Sequence, residues 1–292
     1  MTKKTWMITG SNGLLGSNAV AHLDSKATVI GVSRGQHDLT TPESLAQEII
    51  ETKPNYLLHT AAIADHALCE KRPDLAKAIN SDSIRVIARA CETANTKLIF
   101  ISTDAVFSGQ PTETKPAGNY LETDEPFPNT VYGKSKLIGE RNAESETNPL
   151  IVRTNFFGWS PTGQRSILEF FINELQANRS VNGFTSVTTT SLYAETLLDY
   201  IYQLKDRIGT FHITSQDAIT KYEFGIKVAE VFNLTESLVV PIESPDDKDL
   251  SLNTTKLAKA LGFDAQTQSE GLLLARSSQP SGNTSIQQQF NV

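Results

Sequence analysis

The 292-residue sequence predicts an α/β fold, a doubly wound parallel sheet with a smaller C-terminal lobe. Three observations predict it. Short β-branched runs alternate with longer helical stretches from Thr5 to Thr154. The strand segments are apolar almost throughout, as in LIFIS at 98–102. Beyond Thr154 the alternation loosens behind a Gly/Pro/Ser-rich turn at 158–163. Alternation implies crossover connections and hence parallel pairing. Near-continuous apolar strands imply a sheet covered on both faces.

Taken in order, residues 5–9 read as a strand, 14–23 as a helix and 27–33 as the next strand. A second helix opens at Thr41-Pro42-Glu43, with Thr41 suited to the N-cap, Pro42 to the first helical position and Ser44 extending the polar start. Strands follow at 56–60, 97–102 and 150–154, separated by a long helix at 73–94 and another at 131–144. An amphipathic helix spans 167–175, and mixed elements continue to about residue 263. This divides the chain into a core domain at 1–154 and a lobe at 155–265, some of whose elements are free to return to the sheet. Residues 266–292 read as a polar, mobile tail, on the low-complexity SSQPSGNTSIQQQF beyond Arg276.

Composition excludes several classes. The net charge is -7 with no Lys/Arg-rich run, which argues against nucleic acid as a partner. No stretch is apolar for the roughly 18 residues that a membrane span requires, and the N-terminus enters a strand without a signal-peptide core. Cys69 and Cys91 are too few for a disulfide framework or a zinc site. The expectation is a cytoplasmic protein with two packed, reduced thiols and no metal. Oligomeric state stays open, a homodimer included.

Chemistry enters at the end of the first strand, in Gly10-Ser11-Asn12-Gly13-Leu14-Leu15-Gly16. Glycines there let a pyrophosphate approach the N-terminus of the following helix, where free N–H groups and the helix dipole favour anions. The spacing is G-x-x-G-x-x-G rather than the general G-x-G-x-x-G, and its strand-to-helix position marks it as the phosphate cradle of a Rossmann-type domain. The second strand ends in Ser33-Arg34-Gly35 without an acid to hold a ribose 2′-hydroxyl. That favours NADP(H), with Arg34 on the 2′-phosphate and NAD(H) as the alternate cofactor. The plainer reading makes Arg34 a solvated turn residue. Asp38 and Leu39 fall beside the expected adenine, unless Asp38 simply caps the next turn.

Tyr132 and Lys136 stand one helical turn apart in VYGKSK, on one helix face. An ammonium beside a phenol favours the phenolate and brings a poor acid toward its working range. The same lysine is in reach of a nicotinamide ribose. Chance pairs of this spacing are common. Thr103, at the end of the fourth strand, adds weight, because ligands of open α/β sheets bind outside the carboxyl ends of strands. Its hydroxyl can there meet a substrate carbonyl, although a strand-end cap is the plainer role. Arg165, opening the helix of the second lobe, is placed either at a diphosphate or in solvent.

Together TGSNGLLG, HTAA (59–62), STDAVFSG (102–109) and YGKSK resemble the extended short-chain dehydrogenase/reductase family. The stretch at 61–80, YLETD (120–124), RTNFFG (153–158) and GTFHIT (209–214) extend the resemblance towards its dTDP-4-dehydrorhamnose reductase branch, over residues 5–263. The resemblance implies a Thr103, Tyr132, Lys136 triad, with Ala61 and Ala62 against the cofactor and Asn80 supporting the lysine through water. It implies Asp104, His66 and Phe156 at the sugar. Phe156 replaces the family's usual tryptophan, and His66 stands where a small apolar residue is expected. The implied reaction is carbonyl reduction of a nucleotide-linked 4-keto-6-deoxy sugar by NADPH, with Tyr132 as proton donor. Two rivals share the fold. An epimerase would need a further base, such as His66 or Asp65, and would not consume NADPH; a 4,6-dehydratase lacks its second carboxylate, because Ala105 follows Asp104. A non-catalytic NADP-binding regulatory subunit would bind a partner enzyme and turn over no keto-sugar.

Overall fold

The computed structural model describes residues 3–113 and 115–280. The first half runs β1 (Thr5–Thr9), α1 (Leu14–Asp24), β2 (Thr28–Val32), α2 (Glu43–Thr52), β3 (Tyr56–His59), α3 (His66–Lys71), α4 (Pro73–Lys77), α5 (Ser83–Ala94), β4 (Lys97–Ile101), α6 (Val131–Glu146) and β5 (Leu150–Arg153). The second half adds β6 (Phe156–Phe157), α7 (Ile167–Gln176), β7 (Val181–Phe184), β8 (Val187–Thr189), β9 (Leu192–Tyr193), α8 (Ala194–Leu204) and β10 (Gly209–His212). It continues with β11 (Ile219–Thr220), α9 (Lys221–Phe232), β12 (Val239–Ile242), β13 (Lys248–Asp249), α10 (Thr255–Leu261) and α11 (Gln268–Ser277).

Six parallel strands form the main sheet in the order β10-β5-β4-β3-β1-β2. Period-2 alternation sends Trp6 and Ile8 to one face, where α1 and α8 cover them, and Met7 to the other, under α2, α5 and α6. Each fully buried Leu or Ile of these layers contributes about 1.5–3 kcal/mol of transfer free energy. The chain leaves β1 in opposite directions to β2 and β3. This reversal opens a crevice at the carboxyl ends of β1 and β3, the usual ligand position in such sheets.

Several sequence-based expectations change. The second helix begins at Glu43 with Pro42 as N-cap and no side-chain cap, so Thr41 does not serve in that role. Pro42 has helical backbone angles, and its carbonyl accepts from Ala46 N at 3.0 Å, so the turn opens at Pro42 itself. The long helix expected at 73–94 is broken. α4 passes into a π-helical turn at Ala78–Asp82 before α5 begins. The turn packs closely on α6, where a Cβ at Gly139 would lie 2.3 Å from the Asn80 carbonyl oxygen. Strand β10, within 155–265, pairs with β5 in the main sheet and is one of the elements that the sequence left free to return there.

The polar tail expected from residue 266 is in part structural. α11 buries Leu272 and Ala275 in the second core, against Phe157, Phe171 and Phe224. Thr267 and Glu270 form a capping box at its start. That motif, TQSE, was legible in the sequence as a helix opening. Residues 281–292 lie outside the described residues. Among the described residues no helix is long and apolar enough to cross a membrane, and Cys69 and Cys91 are buried and free.

Candidate active site

The glycine cradle is built by close approach. Gly10 has φ +69°, and a Cβ there would lie 2.9 Å from Thr60 Oγ1; a Cβ at Gly16 would lie 2.1 Å from the Gly10 carbonyl oxygen. Only glycine allows both contacts. Gly13 is the N-cap of α1 and offers no side-chain cap, so the first N–H groups of the helix are left for a ligand. A cavity of about 370 Å³ opens over them.

Gly10, Asn12, Gly13, Ser33, Arg34, Asp38, Leu39, Ala61 and Ala62 line this cavity. Ser11, Leu14, Leu15 and Gly16 do not line it. Leu15 is core, Leu14 packs against that core, and Ser11 sits against Gly31. The loop after β2 is internally tied, Gln36 Oε1 accepting from Ser33 N at 2.8 Å and Ser33 Oγ at 3.0 Å. Arg34 is exposed at its tip with no hydrogen-bond or ion-pair partner among the described residues. Asp38 accepts from Thr40 N at 2.8 Å, so it caps its turn while facing the cavity. That bond, aided by Arg34, holds its carboxyl below the usual carboxylate range. Thr9, Thr60 and His37 also line the cavity and were missed by sequence reasoning.

The helix carrying the tyrosine is pressed onto the strand ends. Thr130 caps α6 by accepting from Gly133 N at 3.1 Å, and a Cβ at Gly133 would lie 2.0 Å from the Ala105 carbonyl oxygen. The first turn of α6 therefore meets the short 3₁₀ turn Asp104–Val106. Thr103 caps that turn, accepting from Ala105 N at 3.1 Å, and its hydroxyl donates to Asp104 Oδ1 at 3.0 Å. The same hydroxyl faces the Tyr132 phenol. Asp104 is buried and accepts from Asn155 Nδ2 at 2.9 Å; burial pushes its carboxyl up.

The electrostatics of Tyr132 and Lys136 differ from the expectation for an adjacent pair. Burial pushes the phenol up, Asp104 adds to the rise, and Thr103 only partly offsets it. The Lys136 Nζ donates to the Ile101 carbonyl oxygen at 2.7 Å and lies 4.1 Å over the Phe100 ring. Burial brings Lys136 down to about 7. Asn80 does not spend its side chain on the lysine. It accepts from Ile63 N at 2.9 Å and donates to the Ile63 carbonyl oxygen and Ser135 Oγ, both at 3.0 Å. The His66 ring packs on Tyr132, with centroids 4.6 Å apart.

A second cavity, of about 220 Å³, opens in the second lobe, starting at Asn155 just beyond the end of β5. Phe156 and Arg165 line it, together with Asn155, Ser191, Lys221 and Gln268. Arg165 also lines the first cavity, so the two spaces meet at its side chain. Glu169 positions it by accepting from Arg165 N at 2.7 Å and Ser166 N at 3.1 Å. Burial lowers Lys221, which faces Asp104 and Lys248. Asn155 was within reach of the sequence, two residues beyond Arg153 in RTNFFG. Lys221 and Gln268 carried no motif, and Gln268 fell in the segment read as tail.

The family described as RmlD substrate binding domain matches residues 4–274. A relative from Haloferax volcanii, "Probable low-salt glycan biosynthesis reductase Agl14", is 34% identical over 251 residues, covering 80% of this chain and 81% of its own. Methionine adenosyltransferase 2 subunit beta of Rattus norvegicus is 28% identical over 285 residues, 89% of this chain and 83% of its own. The crystal structure of dTDP-4-dehydrorhamnose reductase from Bacillus anthracis in complex with NADP superposes with a TM-score of 0.86 at 26% identity, covering 95% of this chain and 99% of that one. The chain belongs to the RmlD substrate binding domain family, on the Rossmann-type fold of the extended short-chain dehydrogenases/reductases.

Proposed function

We propose that this chain is an NADPH-dependent carbonyl reductase acting on a nucleotide-linked 4-keto-6-deoxy sugar. The observation that carries the reading is the Thr103 hydroxyl facing the Tyr132 phenol beyond the carboxyl end of β4, with the neighbouring Asp104 bonded to Asn155 of the second cavity, which shares Arg165 with the first. The first cavity fits a dinucleotide. Gly10 and Gly13 line it without a Cβ, the N-terminus of α1 is left uncapped by side chains, and Arg34, with no hydrogen-bond or ion-pair partner among the described residues, is a cation for a 2′-phosphate. The reductase from Bacillus anthracis supports the same cofactor, with NAD(H) as the alternate. Bound there, the nicotinamide supplies hydride to a carbonyl carbon.

The protein's own groups act on the carbonyl oxygen. Burial keeps the proton on Tyr132, the state a donor needs. Thr103 donates a hydrogen bond to the same oxygen once its hydroxyl leaves Asp104. Asp104, Asn155 and Lys221 surround the sugar, and Arg165 meets the diphosphate between the two cavities.

The test is NADPH consumption with a panel of nucleotide-linked 4-keto sugars. Tyr132→Phe should lower kcat by about 10²–10⁴ with NADPH affinity retained. Near-wild-type turnover in that variant would sink the assignment. A second reading, a regulatory subunit, draws on the likeness to methionine adenosyltransferase 2 subunit beta. It predicts NADPH binding, no turnover on the panel and a stoichiometric enzyme partner.

A further inference from the structure

Behind the catalytic residues lies a buried ionic cluster that the proposed reaction does not use. Tyr132, Lys136 and Glu140 follow one another at four-residue intervals, a single stripe of α6. Glu140 is buried and takes Arg153, at the end of β5, in a double contact: Nη2 to Oε2 at 2.7 Å, and Nε to Oε1 and Oε2 at 3.0 and 3.2 Å. Ser102, the residue before Thr103, donates its hydroxyl to Glu140 Oε1. One carboxylate thus ties the helix of Tyr132 and Lys136 to the ends of both neighbouring strands. A buried ion pair adds little net stability over a well-packed apolar core, so stability alone does not account for it.

We propose that Glu140 is a positioning residue of the catalytic set, clamping α6 to the strand end that carries Thr103 and acting as the counter-charge of the Lys136 ammonium. The placement of that ammonium requires such a group. Among the described residues its one hydrogen bond goes to Ile101, it lies on Phe100, and no carboxylate reaches it by direct contact. Glu140 from its own helix favours its charged form. From β3, His59 faces it and is held neutral, with a pKa of about 3, by burial and by Lys136 itself. Arg153 from β5 lies beyond Glu140 and shares its charge, and Glu144 follows Glu140 on the helix. His212, beside Arg153, is likewise neutral, with a pKa of about 3. Removing the carboxylate therefore takes from Lys136 the group that favours its charge and leaves it facing neutral His59, with the Arg153 cation beyond, while removing Arg153 leaves the carboxylate to Lys136.

The inference rests on the catalytic reading of Lys136, but its test needs no turnover. Full-length chain labelled with ¹³Cε-lysine is titrated by NMR, the Lys136 signal being assigned from its loss in Lys136→Met. Glu140→Gln should lower the Lys136 midpoint by about one pH unit or more, Arg153→Met should raise it, and Glu140→Asp should hold it near wild type. A merely structural role would move neither, or would move both in the same direction; either result overturns the proposal. If Glu140→Gln does not fold, the Arg153→Met arm decides alone, since a fall or no change refutes the counter-charge. On a keto-sugar that the wild type reduces, Glu140→Gln should lower kcat with KM nearly unchanged and shift the pH profile as it shifts the lysine. Absence of wild-type turnover would sink the reductase reading while leaving the lysine titration to decide this one.

Discussion

The His66 ring lies against the Tyr132 ring, with centroids 4.6 Å apart and planes inclined by 47°. Burial holds His66 below its ordinary pKa, with Lys221 and Lys248 adding to the effect, so at neutral pH it meets the phenol as an uncharged ring. An aromatic contact of this kind contributes about 0.5–1.5 kcal/mol beyond area burial. His66→Phe should therefore keep kcat within about twofold, while His66→Ala should lower it by up to about tenfold, which steady-state kinetics on a reducible keto-sugar would show. Equal effects of the two substitutions would remove packing as the role.

Arg34 lines the first cavity from a loop tied by Gln36, and among the described residues its guanidinium has no hydrogen-bond or ion-pair partner. A charge-assisted hydrogen bond contributes about 1.5–3 kcal/mol. Arg34→Ala should weaken NADPH binding by about 10- to 100-fold and leave NADH almost unchanged, as read by fluorescence titration. Equal weakening for both cofactors would place Arg34 outside a 2′-phosphate site.

Lys136 titrates near 7 when folded, against a reference value of 10.5. Between these values the unfolded chain holds the proton and the folded chain does not, so this group makes stability rise with pH. Below about 7 both states are protonated and its effect is constant; above 10.5 neither is, and its penalty is gone. Denaturant unfolding across this window should show Lys136→Met gaining on wild type as pH falls from 10.5 to 7. A stability difference independent of pH would contradict the depressed lysine.

Leu272 is fully buried in the second core. Leu272→Ala should cost about 2–5 kcal/mol in urea unfolding. A loss under about 0.5 kcal/mol, typical of surface positions, would return α11 to the status of a dispensable tail.

The parallel sheet was legible because β1, β3, β4 and β5 are short apolar runs separated by helical patterns, a signal that depends on neighbours along the chain. The glycine cradle was legible for a similar reason: Gly10 and Gly16 answer to local close approach. The break at Asn80 was not, because the 2.3 Å limit at Gly139 is set by a helix about 60 residues away. α11 was misread from composition, although its capping box was present in the sequence. Lys221 and Gln268 line one cavity with Asn155 and Phe156, more than 60 residues away along the chain.

By itself the sequence determined the alternating architecture, the glycine-built turn from β1 into α1 and the sharing of one helix face by Tyr132 and Lys136, because periodicity and spacing act locally. The tertiary structure alone decided how those partners are charged. Spacing placed an ammonium beside a phenol, whereas burial keeps the proton on Tyr132 and turns Lys136 towards Ile101, Phe100 and the field of Glu140. Desolvation and long-range contacts belong to the packed interior, and no interval along the chain encodes them.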